Sequence, residues 1–160
     1  MQDALVLPPQ QALIGGEWVD TATTLQVEAP ASCEPLARIA RSQEGDVKAA
    51  VKSAHQAFSG QLGEWASWSA RQRSEWLLRF ANIIEAHHEQ LAQLECADTG
   101  KPMTQARGDI GACARYFRFY GGAADKLHGE TIPFETDFAV MTLREPYGVC
   151  AQIIPWNYPS

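Results

Sequence analysis

Few residues of this 160-residue chain could do chemistry, and most of them fail on spacing. The four cysteines, Cys33, Cys96, Cys113 and Cys150, contain no C-x-x-C pair, which excludes zinc ribbons and thioredoxin-type dithiols. Cys96, Cys113 and Cys150 lie in apolar patterns where a thiol acts as a small hydrophobe, and free thiols are expected. His88-Glu89 opens an H-E-x-x-H pattern, but position 92 is alanine, so no zincin helix follows. His87 and His88 read as solvated, and His55 and His128 stand alone. Thr99-Gly100-Lys101-Pro102 only grazes a phosphate loop, because Pro102 stands where Ser or Thr is needed. Neither G-x-G-x-x-G nor G-x-S-x-G occurs. Asn157 remains, inside Pro155-Trp156-Asn157-Tyr158-Pro159. A carboxamide held in a tight loop is a neutral donor for a developing alkoxide, and losing one such donor costs ~10²–10³ in rate. An asparagine beside prolines also suits a plain turn, and the residues alone leave both readings open.

The elements that must hold this loop come in two styles. Short strands are expected first: Leu13-Ile14 and Trp18-Val19 about a Gly15-Gly16 turn, then Thr24 to Ala29 and Leu36 to Arg41. Helices follow, from Asp46 as N-cap to Ser59-Gly60, and from a Ser69/Gln72 capping box through Trp76, Leu77, Phe80, Ile83 and Ile84. An apolar stretch Leu91 to Leu94 runs to a stop at Gly100-Lys101-Pro102, and a last helix spans roughly Thr104 to Lys126. Tyr116, Phe117, Phe119 and Tyr120 read as core, and Arg71, Arg73, Arg79 and Glu75 as a solvated face. Phe138 to Arg144 alternates as an exposed strand does. Gly148 to Ile154 is almost continuously apolar, which suits a parallel strand covered on both faces. Such a strand needs partners and crossover helices.

Composition fits one globular domain, with 46% hydrophobic and 20% charged residues. The balance of 13 Lys+Arg against 19 Asp+Glu, net −6, argues against nucleic-acid and anionic-membrane surfaces. No stretch approaches ~18 apolar residues, and Met1 to Leu5 lacks a signal peptide's basic and apolar regions, so a cytoplasmic protein is expected.

The segment from Arg144 through Gly148-Val149-Cys150-Ala151-Gln152-Ile153-Ile154 to Pro155-Trp156-Asn157-Tyr158-Pro159 resembles the first cofactor-domain strand and P-W-N motif of the aldehyde dehydrogenase superfamily. Ile14-Gly15-Gly16-Glu17-Trp18-Val19 resembles that family's N-terminal hairpin. Asp98-Thr99-Gly100-Lys101-Pro102 resembles its helix-ending D-x-G-K-P. Ala124 to Lys126, with His128-Gly129 and Thr131-Ile132-Pro133, resembles the lead into its bridging arm.

The resemblance implies an α/β fold, the N-terminal part of an aldehyde dehydrogenase-like architecture. Short strands and a helical layer would lead into the first strand of a Rossmann-like parallel sheet. Residues 1–128 would be the hairpin and helical part of the cofactor domain, 129–146 the bridging and oligomerisation arm, and 147–160 the first strand and P-W-N loop. It implies Asn157 as oxyanion donor and Ile153, Ile154, Pro155 and Trp156 as lining for NAD or NADP. Tyr158 would be a substrate-tunnel aromatic, able to offer a ring face to a cationic aldehyde. Asp98 would help hold a structural monovalent cation, with main-chain oxygens near Val27-Glu28. The family's nucleophilic cysteine, general-base glutamate and cofactor lysine lie far beyond the P-W-N motif. An N-terminal fragment of an NAD(P)-dependent enzyme oxidising aldehydes to acids is therefore expected, inactive alone and a homodimer or homotetramer when complete. The alternatives are a stand-alone, non-catalytic chain that docks on full-length subunits by strand addition, and a helical adaptor with a chance P-W-N.

Overall fold

The computed structural model describes residues 7, 10–61 and 63–160; the reading of Met1 to Leu5 lies outside them. Strands β1 (Ala12–Ile14) and β2 (Glu17–Val19) form the expected hairpin. Gly15 at φ 64° and Gly16 at φ 88° supply the two left-handed positions that its turn demands. Strands β3 (Thr23–Ala29) and β4 (Glu34–Arg41) pair antiparallel, with Leu25 opposite Ile39 and a bulge between Val27 and Glu28.

Four helices follow: α1 (Glu44–Phe58), α2 (Ala70–Ala86), α3 (His88–Thr99) and α4 (Met103–Ala123). The first starts earlier than expected. Gln43 is its N-cap, and the Asp46 carboxylate accepts the Gln43 N–H at 2.7 Å from the third helical position. Asp46 thus supplies the reciprocal half of a capping box rather than the cap. At α2 the expected box is present: Ser69 N–H donates to Gln72 Oε1 at 2.8 Å, and Gln72 N–H to Ser69 Oγ at 3.3 Å.

Helix α4 packs chiefly on α2 and next on α3. Ile84, Ala92, Ala106, Ile110 and Ala114 form the buried centre, with Phe80, Leu91, Met103 and Phe117 against it. Alanines at the contact let the helix axes approach closely, and Ala81, Ala92, Ala106 and Ala114 have no exposed surface. Paired charges clasp the rim. Arg107 forks onto Glu89 at 2.7 and 2.9 Å, and Arg118 reaches Glu85 at 2.6 Å and Asn82 at 2.9 Å. Aromatic rings run through the layer: Trp65 meets Trp68 and Trp76, Trp76 stacks on Phe80 at 5.4 Å, and Phe80 meets Phe117 edge-on at 4.7 Å.

Several expectations need correction. Of the four aromatics in α4, Phe117 packs in the core, whereas Tyr116, Phe119 and Tyr120 are exposed, because helical spacing turns them away from α2. His88 is half-buried, and its Nε2 donates to the Arg107 carbonyl at 2.9 Å, so it is not simply solvated. Arg73 also leaves the solvated face: its guanidinium lies over the Trp65 ring and donates to the Trp65 carbonyl at 3.2 Å. Only β6 (Val140–Met141) forms within the alternating stretch, paired with β5 (Thr131–Ile132).

Gly148 to Ile154 carries no strand pairing among the described residues, and Val149, Cys150, Ile153 and Ile154 are exposed. Parallel strands draw their hydrogen bonds from neighbours in one sheet, and the three sheets described are separate antiparallel pairs. Ile153, expected within a strand covered on both faces, is almost fully exposed for that reason. All four cysteines are free thiols, with Cys33 and Cys150 exposed. No described helix is long and apolar enough to cross a membrane.

Candidate active-site loop

The Pro155–Pro159 segment folds as a turn. Tyr158 N–H donates to the Pro155 carbonyl at 3.2 Å, which places Trp156 and Asn157 at the apex. Proline pre-sets its own φ and biases the residue before it toward extended backbone, so two prolines delimit the turn. Main-chain atoms close it, and the Asn157 carboxamide is left exposed at the apex. The carboxamide therefore stays free to donate elsewhere. Ile153, Ile154, Pro155 and Trp156, the expected cofactor lining, are all exposed beside it. They offer an apolar, uncharged wall.

Tyr158 points the other way, toward the helical layer, and is half-buried. Lys101 Nζ lies 5.3 Å from its ring centroid, within the ~6 Å range of a cation–π contact. That ammonium donates to Asp109 Oδ2 at 2.8 Å and to the Glu95 carboxylate. The side chains of Lys101, Glu95 and Asp109 are only 8%, 4% and 15% exposed. Burial pulls the Lys101 pKa down, but hydrogen bonds to Asp109 and Glu95 outweigh it and hold the amine above its ordinary value. Burial raises the Tyr158 phenol, reinforced by the negative charges of Asp109 and Glu95.

A sharp corner presents Lys101. Helix α3 ends at Gly100 with φ 73°, where a Cβ would stand 3.2 Å from Pro30 Cβ, and Pro102 then opens α4. Thr99 Oγ1 donates to the Glu95 carbonyl at 2.7 Å and accepts the Lys101 N–H at 3.3 Å, fixing the corner from within.

In the sequence Lys101 stands merely between the Gly100 and Pro102 that stop the helix, and the Glu95–Lys101–Asp109 cluster is not foreseen. One signal was present: Glu95 lies four residues after Leu91, so it continues the apolar face of α3 into the layer. Asp98 and Glu28 are both exposed. Helix α3 packs on β3, and Asp98 and Val27 share the wall of a cavity of about 300 Å³ that Glu28 does not line. Among the described residues no group of three or more His, Cys, Asp or Glu side chains is placed to hold a metal ion. A cation at Asp98 would thus depend on main-chain oxygens.

Comparison with known proteins extends the likeness beyond these motifs. The model of the aldehyde dehydrogenase family matches residues 18–160. The mitochondrial aldehyde dehydrogenase family 2 member B4 of Arabidopsis thaliana is 47% identical over 152 residues, which cover 93% of this chain and 28% of that protein. An aldehyde dehydrogenase of Bacillus cereus superposes with a TM-score of 0.89 at 40% identity, over 94% of this chain and 31% of its own. A betaine aldehyde dehydrogenase of Staphylococcus aureus, solved in complex with NAD+, superposes at 0.88 with 34% identity, over 94% and 30%. The chain thus spans about 30% of the length of the relatives it matches. The likeness extends over nearly the whole of these residues, and the chain belongs to the aldehyde dehydrogenase family.

Proposed function

We propose that this chain provides the oxyanion donor and part of the nicotinamide-cofactor wall of an NAD(P)-dependent aldehyde dehydrogenase, acting with a catalytic region outside these residues. The observation that carries the proposal is the Asn157 carboxamide, exposed at the apex of a turn that one main-chain bond already closes. When a thiolate adds to an aldehyde carbonyl, the oxygen becomes an alkoxide, and a fixed N–H donor lowers the energy of that state without itself titrating. Asn157 would hold that oxygen.

Exposed, apolar Ile153, Ile154 and Trp156 would line the nicotinamide end of the cofactor, which would supply hydride acceptance when bound. In support, the Staphylococcus aureus relative is described with NAD+. Tyr158 would border the substrate tunnel. One face of its ring already takes the Lys101 ammonium, so a cationic aldehyde would have only the other.

Residues 129–146 would form the arm that pairs subunits into a dimer or tetramer, and its Phe134, Phe138 and Leu143 are exposed apolar side chains suited to that. Cytoplasmic placement belongs to the same proposal; the Arabidopsis relative is named as mitochondrial, and cell fractionation separates the two.

The test is a chimera in which this chain replaces the matching N-terminal segment of the Bacillus cereus enzyme. Aldehyde-dependent reduction of NAD+ is expected, with N157A losing about 10²–10³ in kcat while NAD+ still quenches protein fluorescence. An active chimera unaffected by N157A would overturn the assignment.

A further inference from the structure

The Pro155–Pro159 loop meets the helical layer at Tyr158, where a buried cation faces an aromatic ring. Lys101 Nζ, 5.3 Å from the ring centroid, is itself held by Asp109 at 2.8 Å and by Glu95. Its stem leaves the backbone between a left-handed Gly100 and a φ-locked Pro102, so the ammonium is fixed at both ends. Two carboxylates aim one ammonium at one ring, and that ring is the next residue after Asn157.

We propose that Lys101 is a positioning residue: pinned by Glu95 and Asp109, its ammonium seats the Tyr158 ring, and the seated ring fixes the turn that presents the Asn157 carboxamide. The consequence for catalysis rests on the reading of Asn157 as oxyanion donor, but the seating itself does not. Pro159 and Ser160 agree with a docked loop, since both line the cavity walled by Leu91, Leu94 and Ile110, and Ser160 Oγ is buried there.

The test is the titration of the Tyr158 phenol, followed by NMR in the 160-residue chain with carbon-13-labelled tyrosine, Y158F identifying the signal. In the parent, burial and the charges of Asp109, Tyr116 and Glu95 hold the phenol above its ordinary value, while Lys101 draws it down. If Lys101 seats the ring, K101M frees it. The midpoint then falls to that of a solvent-exposed tyrosine, and the Asn157 side-chain amide signals shift. If the loop sits without help, removing the cation beside two remaining carboxylates drives the midpoint further up, which overturns the proposal.

Because K101M leaves buried carboxylates unpaired, the neutral E95Q/K101M/D109N variant is measured beside it, with far-UV circular dichroism to verify helix content. Neutralising the two carboxylates lowers the midpoint by itself, so the readout is where it stops: a midpoint at the solvent-exposed value supports the seating, and one that burial still holds above that value refutes it. Neither readout involves turnover, so they stand apart from the fate of Asn157 as a donor.

Discussion

A Cβ on Gly129 would stand 1.7 Å from the main-chain oxygen of Thr142, closer than any real contact. Bonds on either side draw the backbones together: Glu130 N–H donates to Thr142 Oγ1 at 2.8 Å, and Thr142 N–H to the Glu130 carbonyl at 2.9 Å. Because the clash is with backbone, side-chain repacking cannot relieve it. G129A should therefore open the β5–β6 pair while leaving the helices intact. Amide exchange at Thr142 should accelerate in G129A with far-UV circular dichroism unchanged; retained protection at Thr142 would refute this.

Gly121 plays a related part between helices. It is buried, and a Cβ there would meet Leu78 Cδ2 at 3.2 Å and Leu77 Cβ at 3.3 Å. Valine adds two further methyls at this α2–α4 contact. Overpacking of this kind costs about 1–3 kcal/mol. Urea unfolding of G121V should show that loss, and a midpoint equal to the parent's would mean the helices separate more easily than the contact implies.

Acid should loosen α4 from its neighbours. The hydrogen bond from Arg118 holds the Glu85 pKa below its ordinary value, and that from Arg107 does the same for Glu89. A carboxyl lowered in the folded state contributes stability above its unfolded pKa and loses it as pH falls through the folded value. Thermal midpoints should accordingly decline as pH drops through and below the ordinary glutamate range. In E85Q/E89Q that decline should be shallower, and parallel curves for parent and variant would exclude these pairs as its source.

Alkali should act through Lys101, with the opposite sign. Its amine is raised in the folded state, so its contribution is complete below the ordinary lysine pKa and fades as pH climbs through the folded value. At neutral pH, K101M strands two buried carboxylates and should cost about 3 kcal/mol. The neutral E95Q/K101M/D109N chain should cost less, since no charge remains unpaired. Equal losses in denaturant titrations of the two would show that packing of the lysine stem, rather than its charge, matters.

Local signals carried much of this architecture. Gly15-Gly16, the Ser69/Gln72 box and the Gly100 stop each act within a few residues, and each element stands where they put it. Asp46 misled by three positions because a capping box has an acceptor at both ends, and sequence does not say which is the cap. Gly148 to Ile154 reads as a parallel strand, but such a strand depends on neighbours rather than on its own residues, and among the described residues none pairs with it. The turn at Asn157 was legible through its prolines, whereas the donor role came only with the family resemblance. Lys101 was not legible, because Glu95, Lys101 and Asp109 meet only once α3 and α4 fold back on each other across Gly100-Lys101-Pro102.

The aromatic file from Trp65 through Trp76 and Phe80 to Phe117 has an optical consequence. Rings at 4.7–6.2 Å and fixed angles couple their electronic transitions, and the file crosses from the 3-10 turn at Trp65–Ser67 through α2 to α4. Near-ultraviolet ellipticity thus becomes an internal gauge of helix packing that needs no label. Trp156, on the Asn157 loop, stands apart from that file in solvent.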